Sequence, residues 1–160
     1  GRIASHSLGL LSRLEPTEII EHRLPGRIPG RGALFIRYGS KQDSLVVLIL
    51  HMALGKRARL RQFDYISEIV NEYRHVIVMG DLNCPSQSPE MDYLINRTLM
   101  SEPFHNMHTF PSWRPQRNID HILVTPTLTV DSVKVLNYSL SDHLPVEMQI
   151  TLPDEIRLGS

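Results

Sequence analysis

The sequence has a single cysteine, Cys84, which excludes an internal disulfide and a zinc-finger framework. Only Lys41, Lys56 and Lys134 of its 17 lysines and arginines are lysines. Arginine suits bidentate recognition of phosphate better than lysine does, although genomic base composition produces the same bias. The formal net charge is zero, so no strong global field draws the chain to nucleic acid or to an anionic membrane. No apolar run approaches the length of a membrane span, and nothing at the start resembles a signal peptide. A cytoplasmic protein without a transmembrane segment is the expectation. No repeat, charge block or low-complexity tract interrupts the chain.

What remains is ordinary globular composition. Hydrophobic residues make up 41% of 160 positions, enough to bury a sizeable core. A length of this order carries a one-domain expectation, residues 1–160.

Leu8 to Ser12 is a short apolar strand candidate, and Glu18 to Leu24 alternates weakly. Pro25 to Gly32 holds two prolines and three glycines and reads as a loop. Ala33 to Tyr38 and Ser44 to Leu50 read as strands of one hairpin. From Arg57 to Tyr73 the period changes. Leu60, Phe63, Ile66, Ile69 and Val70 recur at helical spacing and predict an amphipathic helix facing a sheet. Arg57, Arg59 and Arg61 fall at its start, where the helix dipole disfavours cations. They are expected to form a solvated face; the alternative is that one meets a phosphate or an acidic partner. Val76 to Met79 is a buried strand, and Ser88-Pro89-Glu90 opens a short helix running through Ile95, with serine as N-cap. Residues 101–118 form a long loop, a kind that is usually functional or disordered. Ile119 to Val124, Thr129 to Leu136 and Val146 to Leu152 complete the strands. The pattern predicts an α+β layered domain.

Gly80-Asp81-Leu82-Asn83 follows the strand Val76 to Met79. Alone it is an ordinary turn. Its company changes the reading. Asp120 lies in the apolar strand Ile119 to Val124, where an unpaired carboxylate is too costly to bury. Asp142 and His143 precede a strand that starts after a proline. A buried aspartate and a histidine from separate segments make an orienting pair, the carboxylate fixing the tautomer of the ring. His51 ends the strand that begins at Ser44, a position where a rigid element fixes a side chain beside a loop that exposes it.

His51 with Gly55, Arg59 and Gln62, then Gly-Asp-Leu-Asn at 80–83, Ile-Asp-His-Ile at 119–122 and Ser-Asp-His-Leu-Pro-Val at 141–146 together resemble the endonuclease/exonuclease/phosphatase superfamily. Leu10-Leu11-Ser12-Arg13 resembles an earlier strand of that family. Thr109-Phe110-Pro111-Ser112-Trp113 resembles a loop of its small bacterial members. The resemblance implies a deoxyribonuclease-like four-layer α/β sandwich. It also implies magnesium- or manganese-dependent hydrolysis of a phosphoester in nucleic acid, nucleotide or phospholipid headgroup. By matching position, Asp81 would orient or activate the attacking water and contact the metal. Asn83 would hold phosphoryl oxygens or that water. His143 would stabilise charge on the phosphorus centre, Asp120 would hold His143 in register, Asp142 would bind or adjoin the metal, and His51 would contact the phosphate or brace the site.

Complete members begin with further segments that contribute an asparagine and a glutamate serving as the main magnesium ligand. Nothing upstream of Leu8 supplies either, and Glu15, Glu18 and Glu21 read as surface charges. The expectation is therefore an incomplete sandwich, about the C-terminal two-thirds of such a domain, with an exposed strand edge and apolar face. Gly159-Ser160 reads as an appended scar or a natural terminus. The reading from a different class is an inactive module that binds phosphate-rich ligands or a protein partner. Of the remaining histidines, His105 and His108 lack a third zinc ligand, His121 is expected to pack, and His6, His22 and His75 are expected to be solvated. Cys84 is expected to be packed. Trp113 with Arg114 and Arg117 would either flank the cleft or pack for structure.

Overall fold

A five-stranded sheet carries the architecture, in the order β1 (Glu18–Arg23), β2 (Gly32–Gly39), β3 (Ser44–His51), β4 (His75–Asp81), β5 (Asp120–Val124). The computed structural model describes residues 7–26, 31–103 and 107–158. All pairings in this sheet are antiparallel except β3 with β4. A parallel pair needs a crossover, and helix α1 (Lys56–Val70) supplies it. Helix α2 (Pro89–Thr98) follows β4, and strands β6 (Thr129–Val135) and β7 (Val146–Thr151) pair antiparallel as a second sheet.

Strand alternation sorts the core into two layers. In β3, Val46, Leu48 and Leu50 face a cluster with Phe63, Ile66 and Val70 of α1 and Met91 and Leu94 of α2. Leu45, Val47 and Ile49 face the other side, toward Val146, Met148 and Ile150 of the second sheet. The central sheet is thus apolar on both faces, which is why β3 and β4 read as continuous hydrophobic runs. Three of the four layers of the expected sandwich are present among the described residues: helices, five-stranded sheet, two-stranded sheet.

Local chemistry accounts for the element ends. Ser88 Oγ accepts from Met91 N at 3.2 Å and caps α2, with Pro89 in the first turn. This helix runs beyond Ile95 to Thr98, where Leu99 in the left-handed region returns its N–H to Ile95 O at 2.9 Å. Helix α1 stops at Val70 and not at Tyr73, because Glu72 and Tyr73 donate three residues back, to Ile69 and Val70, and tighten the last turn.

Expectations of three kinds are corrected: one strand, two histidines and the arginines. Leu8 to Ser12 is irregular, with Leu11 fully exposed; a strand needs a neighbour's backbone, and among the described residues none is offered to it. Its outcome leaves β1 as an edge strand with Ile19 and Ile20 exposed. His75 is buried at 1% exposure rather than solvated, with Nδ1 against Thr127 Oγ1 at 2.9 Å and Nε2 at 3.5 Å from Glu155; burial, first of all, holds it below the usual histidine range. His22 is half-buried and bonds Tyr65 at 2.8 Å. His6 lies outside the described residues, as do residues 27–30 of the expected 25–32 loop and Gly159-Ser160.

The third correction concerns the arginines. Arg57 and Arg61 are solvated, but Arg59 is buried and meets the acidic partner: its Nη2 donates to Glu90 Oε1 at 2.7 Å. Its Nη1 reaches the carbonyls of Ala53, at 3.1 Å, and Leu54. Burial pushes Glu90 up, but the Arg59 hydrogen bond and charge outweigh it and leave the carboxyl below its ordinary value. One ion pair therefore pins the start of α1 to the loop after β3 and to α2.

Removing one partner of such a pair leaves the other charge buried. Glu90→Ala is expected to destabilise the fold by about 3 kcal/mol in urea unfolding at neutral pH. Because the folded-state value is depressed, the contribution of Glu90 is full above its unfolded value and is lost as pH falls through the folded one. The difference between Glu90→Gln and the unaltered chain should shrink along the same acid limb.

Candidate active site

Register builds the site. Across β3 and β4, His51 pairs with Asp81; across β4 and β5, Asp81 pairs with Asp120. Paired residues point to the same face of a sheet, and all three share the parity of Ile49, Met79 and Ile122, the face toward the second sheet. Three strand ends thus present His51, Asp81 and Asp120 side by side.

Gly80 makes that alignment possible. Its φ is +134°, and a Cβ there would lie 2.0 Å from the Leu50 carbonyl oxygen. No residue with a side chain fits against β3 at this level. Next along the chain, Asn83 adopts φ of 53°, a conformation asparagine tolerates better than most residues. Its N–H donates to Asp81 Oδ1 at 2.9 Å, and its side-chain Nδ2 donates to Met52 O at 2.9 Å. Asn83 therefore fixes Asp81 and ties β4 to the end of β3. Asp81 Oδ2 lies 3.7 Å from His51 Nε2.

The other wall comes from loops. His143 Nδ1 sits 2.7 Å from Asp120 Oδ2, and Thr109 Oγ1 donates to the same oxygen. The Phe110 ring lies 4.8 Å from the His143 ring, centroid to centroid. Leu144 N donates to Thr109 O at 2.9 Å, Ser112 N to Asp142 O at 2.8 Å, and Ser112 Oγ to Ser141 O at 2.5 Å. The described part of the long 101–118 loop is thus the clamp that holds the 141–144 turn over Asp120. Asp81, Asp120 and His143 each offer an atom such that all lie within 4.8 Å of one another.

Asp81 is partly buried, and burial foremost raises its carboxyl above the ordinary aspartate value; Asp120 adds to the rise, while the Asn83 N–H and the two histidines oppose it.

Of the six residues expected at the site, the structure brings together His51, Asp81, Asn83, Asp120 and His143. The Asp142 side chain is exposed, beside His143 but outside the trio. His121 points to the opposite face, buried between Glu102 Oε1 at 2.6 Å and Cys84 O at 2.7 Å. Cys84 is buried, its thiol pushed up to about 11 by burial. His108 is exposed and His105 lies outside the described residues. Trp113 is 74% exposed, so packing for structure is not its role. Arg117 lies over the Phe110 ring at 5.6 Å.

Three positions that border the candidate site escaped the sequence reading. Thr109 and Phe110 stand in a motif that the sequence offers, Thr-Phe-Pro-Ser-Trp, but nothing local shows that they face Asp120 and His143. Arg31, whose guanidinium meets His51 Nε2, had no signal beyond its place in a glycine- and proline-rich loop.

Similarity to known proteins extends over most of the chain. A family model described as "Endonuclease/Exonuclease/phosphatase family" matches residues 3–143. No curated protein sequence matches. Among solved structures, the chain is similar to a mannosyl-6-phosphatase from Bacteroides thetaiotaomicron, at 20% identity and a TM-score of 0.72, covering 87% of this chain and 67% of that one. An endonuclease/exonuclease/phosphatase from Bacteroides vulgatus gives 20% identity and a TM-score of 0.72, over 87% of this chain and 66% of that one. The beta toxin of Staphylococcus aureus gives 17% identity and 0.68, over 86% and 65%. The chain spans about two thirds of the length of these structures.

The raised carboxyl of Asp81 has a consequence for stability. A folded-state value above the unfolded one means that the ionised group opposes folding, an effect present at neutral pH and absent once both states are protonated. Asp81→Asn keeps an acceptor for the Asn83 N–H and removes the charge. With chelator present, Asp81→Asn should melt a few degrees higher than the unaltered chain at pH 7, and the gain should vanish below the ordinary aspartate range.

Proposed function

The chain belongs to the endonuclease/exonuclease/phosphatase family, and from that premise we propose that it carries the water-activating and phosphate-stabilising parts of a divalent-metal-dependent phosphoester hydrolase. The observation that carries the reading is the convergence of Asp81, Asp120 and His143, from three separate segments, within 4.8 Å. The mannosyl-6-phosphatase among the similar structures supports a phosphoester substrate.

Asp81 has one oxygen committed to the Asn83 N–H. Its Oδ2 is left to take the proton of an attacking water, with His51 alongside. Asp120 accepts from Nδ1–H of His143 and from the Thr109 hydroxyl, which leaves Nε2 as the nitrogen turned to substrate. In its protonated form the ring donates from Nε2 to a phosphoryl oxygen, where charge builds in the transition state. Phe110 against one face of the ring restricts its rotation, so the donor is in place before charge develops. Asn83, held by Met52, positions Asp81 and stands where a phosphoryl oxygen or the water would meet the strand end.

The donor set suits a hard dication. Magnesium and manganese take oxygen ligands, and magnesium commonly uses one or two protein carboxylates together with water and substrate phosphate. Asp81 and the exposed Asp142 would supply those oxygens, whereas the buried, protonated thiol of Cys84 does not suit a thiolate site. When bound, such an ion polarises phosphoryl oxygens and lowers the pKa of its water. The neutral overall charge does not favour a processive nucleic-acid binder, for which phosphate contacts dominate affinity.

The test is hydrolysis of chromogenic phosphate mono- and diesters by this chain and by an upstream-extended form, with magnesium or manganese. Activity should disappear with chelator. His143→Ala should lower kcat by about 100-fold or more, with a smaller change in KM, as expected for a donor acting in the transition state. Asp120→Asn should lower kcat as well while leaving the fold intact. Full activity in His143→Ala would sink the mechanism, and inactivity of both forms would favour the phosphate-binding module.

A further inference from the structure

Beside the catalytic cleft lies a cavity of 630 Å³ whose lining includes Arg31, Lys56, Arg57 and Arg61. No carboxylate among the described residues lines it. None of these four cations forms an ion pair among the described residues, where the other pairs engage Arg37, Arg59, Arg74, Arg97 and Lys134. In a chain of zero net charge, four cations outside any ion pair among the described residues share one concavity. A cleft lined by one sign of charge focuses the field inside it.

The arrangement is costly in the absence of an anion. Arg57 and Arg61 stand one helical turn apart, and like charges at that spacing oppose each other. Both lie with Lys56 in the first turns of α1, where the dipole disfavours cations, and no acidic side chain occupies the first turn. No side chain caps the helix either, so the partial positive charge of its start adds to the same cavity. The walls are nonetheless built. Gln62 is buried and braces them, its Oε1 accepting from Ala53 N at 2.8 Å and its Nε2 donating to Pro25 O at 3.0 Å.

Arg31 connects the cavity to the site. It immediately precedes Gly32, the register partner of His51, and its guanidinium meets His51 Nε2. Reading across the sheet edge, the order is cavity, Arg31, His51, Asp81, Asp120, His143. The backbones of Gly32 and Asp81 are two strand spacings apart, about 10 Å, and the Arg31 side chain reaches back across part of that gap to His51.

We propose that this cavity is a second phosphate subsite, which receives a phosphoryl group of the substrate other than the one cleaved. The preferred substrate is then a compact bisphosphate, or a phosphodiester with a further phosphate, rather than a simple monoester. The proposal rests on the reading of Asp81, Asp120 and His143 as the place of the scissile phosphate. Arginine forks from Arg31, Arg57 and Arg61 grip the remote group, while the ester to be cleaved lies against Asp81. Binding energy from the remote phosphate then positions the reacting one.

Titration calorimetry with chelator present, so that nothing turns over, compares fructose 1,6-bisphosphate with fructose 6-phosphate. The bisphosphate should bind at least about tenfold more tightly. The double variant Arg57→Gln/Arg61→Gln should bring the two within about twofold. Arg74→Gln, which removes the same charge next to the opposite end of β4, should leave the preference unchanged. Equal affinities in the unaltered chain, no measurable binding of the bisphosphate at millimolar concentration, or a preference that survives the double variant each overturn the subsite. Hydrolysis with magnesium is scored separately. Hydrolysis without a binding preference removes the subsite and leaves the catalytic reading. A preference that depends on Arg57 and Arg61, without hydrolysis of either compound, removes the catalytic reading and leaves an anion-binding cavity.

Discussion

The register of β3, β4 and β5 is the constraint on which the rest of the molecule depends. His51, Asp81 and Asp120 are neighbours because two successive pairings place them opposite each other. A slip of one residue in either pairing would turn a whole strand over, sending Asp81 or Asp120 into the apolar cluster beneath the helices. The two-sided core prevents that slip: Val76 and Val78 face one cluster and Ile77 and Met79 the other. Gly80 fixes the same register sterically, since a side chain there would collide with the Leu50 carbonyl. Hydrophobic burial and one missing side chain thus position polar groups that have no stabilising interest in being there.

The loops are secured by a different chemistry. Arg59 and Glu90 join α1, α2 and the segment after His51, and Gln62 joins that segment to Pro25. Both polar anchors are buried at the start of α1, on the helix face one turn from the solvated Arg57 and Arg61. The helix therefore has a paired cation inside and unpaired ones outside. On the far side of the sheet edge, the 107–118 segment holds the 141–144 turn by backbone and serine hydrogen bonds. His143 thus rests on a loop whose own position is set by strand β5, through Thr109 and Asp120.

Much of this was legible in the sequence. Periodicity located α1, the β2–β3 hairpin and the strand before Gly80, because each buries a face and burial leaves a period. The cap Ser88-Pro89 located α2 for the same kind of reason: a local bond has a local signature. Asp120 stood out as a carboxylate in an apolar strand that had to find a partner, and it found two. The losses were of contacts that no local pattern encodes. Arg59 read as solvated because its partner Glu90 lies on another helix, and His75 read as solvated because Thr127 and Glu155 reach it from elsewhere. Leu8 to Ser12 has strand composition without an edge to join among the described residues. Thr109 and Phe110 act by the fold of a loop, which composition does not specify.

The energetic logic of the site explains this division. Elements that stabilise the fold are redundant along the chain, repeating every two or every three to four residues, and so are visible without a structure. The groups at the strand ends do the opposite. Asp81 is held partly buried with its carboxyl raised, Asn83 sits in a left-handed conformation, and four cations crowd one cavity. Each arrangement opposes folding slightly and is sustained by the apolar clusters and by the Arg59–Glu90 pair. Such positions break local rules, and a broken rule becomes informative only beside its neighbours in space. A single aspartate after a strand is a turn; the same aspartate in register with a second one, under a clamped histidine and beside a cavity lined by cations, is the arrangement on which the phosphoester-hydrolase proposal rests.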